Sequence, residues 1–440
     1  MKKARKILLS WKNLFNNKRL LLIALFVIGS KFSLLIIDLL LANTVGSGSL
    51  ADAYVISMAI STGLLNFILI NIRKITVNEL ANAESESIYP KILWGKILAT
   101  IIFFTPLISL LVFKRDLILP YVYKGNSLEV QAFLNRLVPI AGISSVFYIF
   151  SILSSSSLDK QKPHIFPASN IIQAIFISLG IIIYLKTKHV LFFYYSILFA
   201  FIVQFLFISF FNKANFTTKA LTKNDWSKSL NNLSLIAPML IFQGINELSK
   251  IYEKSVLSNF SEGTVSFFYY SNKLNLSILG IIITIFTYYY ISPLSNLKSE
   301  NPSLYQSSIS KILIKSSFLF FIISFILYLN SEFVFNTTFN LRNTMSINGN
   351  HVEILKTYNL SGFFYAIIQI ISILLISNGS KLFSFIPTLF FGVIKIVLIY
   401  FYFELSADPL VIAYIHLVSL IVASLIGLSI FKRLTHSREI

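Results

Sequence analysis

Long apolar runs and short polar breaks alternate along this chain from one end to the other. A helix needs about 20 apolar residues to cross hydrocarbon, where its backbone polar groups must be paired internally. Each run therefore predicts a membrane-spanning helix. The first half gives 19–42, 53–71, 92–113, 137–157, 164–185 and 190–211. The second half gives 233–257, 264–292, 312–334, 354–377, 382–403 and 409–431, twelve spans in all. The second span is rich in Ser and Gly and the eighth opens on polar residues, so these two have the weakest apolar pattern.

Composition agrees. Of 440 residues, 55% are hydrophobic and 12% charged, about half the ~25% charge of a soluble domain, which excludes an ordinary soluble enzyme. The absence of Cys excludes a disulfide framework, a Cys-ligated zinc site and a Cys nucleophile. Five scattered His offer no metal centre, so neither a metal nor a cofactor is expected. The net charge of +19 could point to nucleic acid. The basic residues, however, sit between apolar runs rather than on one soluble face, so no nucleic-acid partner is expected. With the N-terminus inside, and with Arg19 and Lys315 at span ends counted as inner and Lys356 as outer, inner segments hold 23 Lys and Arg and outer loops eight, which puts both termini in the cytoplasm. The first run is too long for a signal peptide and lacks a small-x-small cleavage site. Residues 2–19 align Ile7, Leu8, Trp11, Leu14 and Phe15 on one helical face. That fits either a helix lying on the inner leaflet or a charged topogenic tail.

The polar stretch 212–232 divides the chain into six spans and six. The expected organisation is a cytoplasmic amphipathic segment 1–19, a bundle 20–211, a linker 212–232, a second bundle 233–431 and a tail 432–440. The halves echo each other. Leu41-Ala42-Asn43, then Gly48-Ser49-Leu50-Ala51-Asp52-Ala53-Tyr54, matches Leu257-Ser258-Asn259, then Gly263-Thr264-Val265-Ser266-Phe267-Phe268-Tyr269. Six is even, so both halves insert in the same sense. The expected fold is all-α, with about twelve helices in two pseudo-symmetric six-helix bundles around a central cavity, an arrangement suited to alternating access.

Charged residues at bilayer depth are costly and usually face an interior or a watery cavity. Lys31 and Asp38 lie in the first span, seven residues and thus ~10 Å apart on one face. In the seventh, Gln243, Glu247, Lys250 and Lys254 form one stripe, in which Glu247 and Lys250 are spaced to pair. Lys395 stands mid-way along the eleventh span with no acid in its own helix. Lys96, Lys254 and Lys273 lie nearer span ends, where snorkelling to headgroups is an equal reading. Six lysines against Asp38, Asp52, Glu247 and Glu253 leave a cationic surplus that suits an anion such as a diphosphate. Asp52 also suits a helix start. Pro106, Pro139, Pro167, Pro238 and Pro387 are candidate bending points. No P-loop, His-Glu metal motif or Ser-His-acid set is present, which favours ion- or potential-driven transport over catalysis.

Two segments resemble the MviN/MurJ lipid II flippase family, within the multidrug/oligosaccharidyl-lipid/polysaccharide flippase superfamily. One comprises Ser30-Lys31, Asp38, Ala42, Gly46, Gly48 and Asp52-Ala53-Tyr54. The other comprises Glu253, Ser258, Glu262-Gly263-Thr264-Val265-Ser266, Tyr269-Tyr270-Ser271-Asn272-Lys273-Leu274 and Pro293-Leu294-Ser295. The resemblance implies two bundles around a cavity and movement of an undecaprenyl-diphosphate-linked sugar from the inner to the outer leaflet of a bacterial inner membrane. The family's cavity arginines fall at Lys31, Ile37, Asn66 and Lys273, so two become Lys and two lose their charge. Its seventh-span acid falls at Glu253, which suggests coupling to Na+, H+ or the membrane potential. Fourteen spans are usual in that family, against twelve here. The expected substrate is a lipid-linked surface-polysaccharide unit, met by Lys31, Asp38, Asp52, Glu247, Lys250, Lys273 and Lys395. Membrane lipids and glycan-assembly enzymes are the other expected partners. Lipid II export, a multidrug or cation antiporter, and a membrane glycan polymerase or ligase are the alternatives. The 335–353 loop with Arg342 and His351 is short for the last of these.

Overall fold

A computed structural model describes residues 18–44, 48–63, 89–125, 127–158, 162–212, 237–300, 302–338, 350–378, 380, 383–403 and 408–436, with single positions between 65 and 80. The expected surface helix over 2–19 lies outside them, apart from Lys18 and Arg19, which open the first helix. The linker 212–232 also lies outside them, apart from Asn212.

The described residues are predominantly helical. In order, the helices are α1 (Lys18–Thr44), α2 (Ser49–Met58), α3 (Tyr89–Phe113), a short α4 (Leu119–Val122), α5 (Leu128–Ser155), α6 (Ile165–Thr187), α7 (Val190–Phe211), α8 (Ala237–Leu257), α9 (Thr264–Glu300), α10 (Pro302–Leu329), α11 (Ser331–Thr338), α12 (His351–Ser377), α13 (Ile386–Phe403) and α14 (Leu410–His436). Among the described residues nine helices are long and apolar enough to cross a membrane, and they include parts or all of α1, α3, α5, α6, α7, α10, α12, α13 and α14. The expected second span begins as α2 and passes into a π-helical turn, Ala59–Gly63. Most of the chain between that turn and α3 lies outside the described residues. The seventh and eighth expected spans are present as α8 and α9, which carry the polar stripe and the second family-like segment. The ninth is displaced: its helix begins at Pro302, ends at Leu329 and is followed by the separate α11.

The chain packs as two compact units, one of Phe26–Phe267 and one of Phe268–Ile440 with the chain up to Leu25. In the first, α5 is the hub, packed against α2, α3 and α7, while α6 packs on α7. In the second, α12 is the hub, packed against α10 and α14, while α13 packs on α14. Among the expected spans, α5 is the fourth of its six and α12 the fourth of its six. The same packing order therefore recurs within each half: third on fourth, fourth on sixth, fifth on sixth. The hubs are also the most enclosed spans, each 61% buried. Large apolar side chains such as Phe103, Phe113, Phe210, Phe318 and Phe401 point outward, as lipid contact requires.

Sequence details explain how the helices meet. In α5, Ser144, Ser145 and Ser151 turn their hydroxyls back to the carbonyls of Ile140, Ala141 and Phe147. That satisfies them without a neighbour and lets helices approach. Gly142 lies against Leu111 and Val112 of α3, at a distance where even a methyl group would be tight. The α6–α7 hairpin turns in two residues because Lys188 adopts the left-handed conformation, φ 58°. Of the five candidate bending prolines, Pro106 and Pro139 lie inside helices. Pro167 and Pro387 instead fall in the first turns of α6 and α13, where a missing N–H breaks no helical bond, and Pro238 stands at the edge of the described residues.

Candidate functional site

The repeated motif marks two helix starts. Gly48 precedes α2 and Gly263 precedes α9. Gly263 has φ 88°, a conformation that glycine alone adopts without strain. A glycine at this point also brings no side chain to cap the helix, and the first N–H groups of α9 must find other acceptors. Asp52 supplies them. Its Oδ2 accepts from Gly263 N at 2.8 Å and its Oδ1 from Ser266 N at 2.7 Å. An acid from α2 thus caps α9, placing negative charge at the positive end of a helix dipole. Asp52 does lie in the first turn of its own helix, but its carboxylate serves another.

A second carboxylate works beside it. Glu262 accepts from Ser49 Oγ at 2.8 Å and, through its other oxygen, from Ser127 Oγ. Ser49 Oγ is also 3.0 Å from Glu129 Oε2. Ser127 in turn caps α5, accepting from Val130 N. The two hydroxyls hold the Glu262 carboxyl below the usual carboxylate range, because hydrogen bonds to the ionised form favour it. Further bonds tie the same loops: Lys124 N donates to Ser258 Oγ at 2.9 Å, and Ser255 Oγ to Tyr121 O at 2.8 Å. The starts of α2, α5 and α9 and the end of α8 therefore meet at one polar junction within the first unit. Glu262 belongs to the second family-like segment, whereas its partners Ser49 and Ser127 carry no sequence signal beyond helix-start preference.

The remaining candidate residues are scattered in character. Lys31 is exposed on α1, beside Phe32 and Ile36, whereas Asp38 is buried. The face they share becomes enclosed toward the end of the helix, where Leu41 and Ala42 are also buried. In α8, Glu247 and Lys250 form the expected ion pair at 2.6 Å, and Glu253 is buried. Gln243 has no described side chain. Lys273 is half-buried, its ammonium 5.7 Å from the Tyr269 ring centroid. Lys96 is 1% exposed, which overrides the snorkelling alternative for that residue. At the two positions where the family arginines become uncharged, Ile37 is buried and Asn66 accepts from Tyr148 OH at 2.5 Å.

Lys395 is fully enclosed, at 0% exposure, within a largely apolar α13. Its Nζ lies 3.2 Å from Nδ1 of His416 on α14, and 5.4 Å from the Phe391 ring. The His416 ring contacts Tyr358 of α12 at 4.9 Å and Phe391 at 5.3 Å. His416 is absent from the sequence-based candidates, although an ionisable residue inside an apolar span is itself a signal.

Among solved structures the fold is shared with a "Lipid II flippase MurJ, inward closed conformation", with a TM-score of 0.78 and 19% identity over 94% of this chain and 87% of that one. It is shared too with an inward-facing multidrug resistance MATE family transporter of the MOP superfamily, with a TM-score of 0.63 and 13% identity over 94% and 96%. A third is a mutant of the Vibrio cholerae MATE transporter VcmN, with a TM-score of 0.64 and 14% identity over 100% and 99%. No family model and no curated protein sequence matches the chain.

Proposed function

We propose that this protein is a flippase that moves an undecaprenyl-diphosphate-linked oligosaccharide from the inner to the outer leaflet of a bacterial inner membrane by alternating access. The observation that carries the reading is the likeness of fold, at a TM-score of 0.78 over 94% of the chain, to a lipid II flippase. The pattern of charge adds the substrate chemistry. Lys31, Lys250, Lys273 and Lys395 stand in helices of the expected spans and offer compact ammonium groups to a diphosphate. Asp38, Asp52 and Glu247 position lysines and helices or meet sugar hydroxyls, and Glu253 is the candidate for coupling to Na+, H+ or the potential. The departures from the family arginines favour a surface-polysaccharide unit over lipid II. Glycan-assembly enzymes are the natural suppliers of such a substrate. Both termini lie in the cytoplasm in this reading, with 20–211 and 233–431 as the two bundles.

Fold likeness to MATE transporters supports a second reading, a drug or cation antiporter. A cationic substrate would want an acidic path, and the surplus of lysine in the spans opposes it. The test is leaflet exchange by reconstituted protein. Lys31→Ala and Lys395→Ala are expected to abolish exchange of a polyprenyl-diphosphate glycan with expression intact. Normal exchange by both variants would overturn the cationic role, and efflux of a cationic dye in place of lipid exchange would favour the antiporter.

A further inference from the structure

One helix of the second unit carries an ordered row of aromatic rings on its outward face. The inner side of α10, through Ile309, Ile312 and Phe320, belongs to the core it shares with α12. Its other side is exposed at Ile314, Phe318, Phe321, Phe325 and Leu329. Phe321 and Phe325 lie nearly parallel, with 11° between their planes and 5.7 Å between centroids, and Phe325 and Tyr328 continue the row at 8° and 6.4 Å. Phe363 of α12 backs it, edge-on to Phe321 at 5.6 Å. The spacing of Phe318, Phe321, Phe325 and Tyr328 keeps all four rings on one flank of the helix. By contrast, the exposed neighbours Tyr400 and Phe401 of α13 meet at 80°.

The two ends of the row differ in charge. Lys311 and Lys315, one turn apart and both exposed, stand at its start. At its finish Lys356 pairs with Glu353 at 2.7 Å and has Glu332 and Tyr328 within electrostatic reach, so two carboxylates stand there against one ammonium. An anionic headgroup is drawn to the Lys311 end and not to the other. Two ammonium groups one turn apart suit a diphosphate, which offers oxygens to both.

We propose that the outward face of α10 is a docking track for a polyprenyl diphosphate, with the headgroup at Lys311 and Lys315 and the chain along Phe318, Phe321, Phe325 and Tyr328. Reach favours this occupant over an ordinary phospholipid. Tyr328 lies about 25 Å beyond Lys311 along the helix axis, in a hydrocarbon layer about 30 Å thick. An acyl chain anchored at the lysines ends near the middle of that layer, whereas the rings run on past it, as a longer polyprenyl chain does. The ribbed surface fits as well, since each isoprene unit brings a methyl branch and a double bond to set against ring faces and edges. The choice of lipid rests on the function proposed above. In that reading the Lys311 end is cytoplasmic, and the track holds the substrate's tail outside the bundle while the headgroup is loaded.

The test uses the full chain in nanodiscs of phosphatidylethanolamine and phosphatidylglycerol. Two photoreactive probes are compared: a sugar-free polyprenyl diphosphate with a diazirine in its chain, and phosphatidylglycerol with the same group in an acyl chain. The expected result is labelling of α10 between 318 and 329 by the polyprenyl probe, competed by unlabelled polyprenyl diphosphate and not by excess phosphatidylglycerol. Phe321→Leu with Phe325→Leu, which keeps an apolar lipid-facing surface, is expected to cut that labelling about fivefold or more. Lys311→Gln with Lys315→Gln should raise the competitor concentration required by about tenfold, and Phe199→Leu on the outward face of α7 should match wild type. Equal labelling of α10 by both probes, labelling confined to other helices, or full labelling in the double phenylalanine variant would overturn the track. Leaflet exchange is read separately. Specific labelling in a protein that exchanges no lipid would count against the function and support the track, and exchange without specific labelling of α10 would do the reverse.

Discussion

Replacing Asp52 with alanine removes both acceptors from the start of α9. The Gly263 and Ser266 N–H groups, now 2.8 and 2.7 Å from carboxylate oxygens, would be stranded in a buried setting, since Asp52, Gly263 and Ser266 are all enclosed. A stranded buried donor costs about 1–3 kcal/mol, and loss of a capping side chain costs about 0.5–2 kcal/mol. The two estimates describe the same loss, so the local cost is about 1–3 kcal/mol, equivalent to a rise of roughly 5- to 150-fold in local opening. Asp52→Asn keeps one acceptor and turns an amide donor toward the other N–H, so about half the cost is expected. Hydrogen exchange at residues 263–266 of purified protein reads this directly, because local opening sets the exchange rate. Exchange in Asp52→Ala within about threefold of wild type would show that α9 holds its first turn without this carboxylate, and would leave Asp52 for a different role.

Glu262 gives a prediction in pH. Its folded-state carboxyl is held low by Ser127 and Ser49, so its contribution is present above the ordinary glutamate range and is lost as pH falls through the depressed folded value. Glu262→Gln should lower thermal stability at about pH 7 and make little difference near pH 3; equal loss at both would contradict the assignment. Gly362 of α12 lies against Asn275 of α9, so that a methyl group there would sit 2.1 Å from Asn275 Oδ1. Asn275 donates to the carbonyls of Tyr358 and Asn359, both at 3.0 Å, and cannot swing away without breaking them. Gly362→Ala should therefore cost about 1–3 kcal/mol as an overpacked site, seen as a lower melting temperature in detergent, and a neutral effect would show that α12 can shift.

Helices of this length were legible because hydrocarbon leaves a chain few choices, and an apolar run of about twenty residues has one stable form there. The helix ends were less legible. The ninth span slipped because Pro302 starts a helix well before the apolar run and Asn330 interrupts it before the run is complete. The pairing of Glu247 with Lys250 was readable from spacing alone. The capping of α9 by Asp52 was not, because 211 residues separate the partners and sequence shows only that each sits near a helix start. Lys395 was readable as an anomaly within α13. Its partner His416 lies on the next helix, and only packing of α13 on α14 brings the two nitrogens together. The exposure of Lys31 against the burial of Asp38 depends on which neighbours cover α1 at each depth, and no periodicity reports that.

Passage of a lipid-linked diphosphate through this protein can be measured directly, by leaflet exchange in proteoliposomes carrying two labelled lipids. One is a polyprenyl-diphosphate glycan and the other the same glycan on a polyprenyl monophosphate. Loss of one phosphate removes charge that the ammonium groups would otherwise meet. Rapid exchange of the diphosphate, with the monophosphate slower by about tenfold or more, is the expected result, since a difference of about 1.4 kcal/mol in the charged contacts suffices for it. Exchange of neither lipid, or of both at equal rates, would contradict a diphosphate-selective flippase.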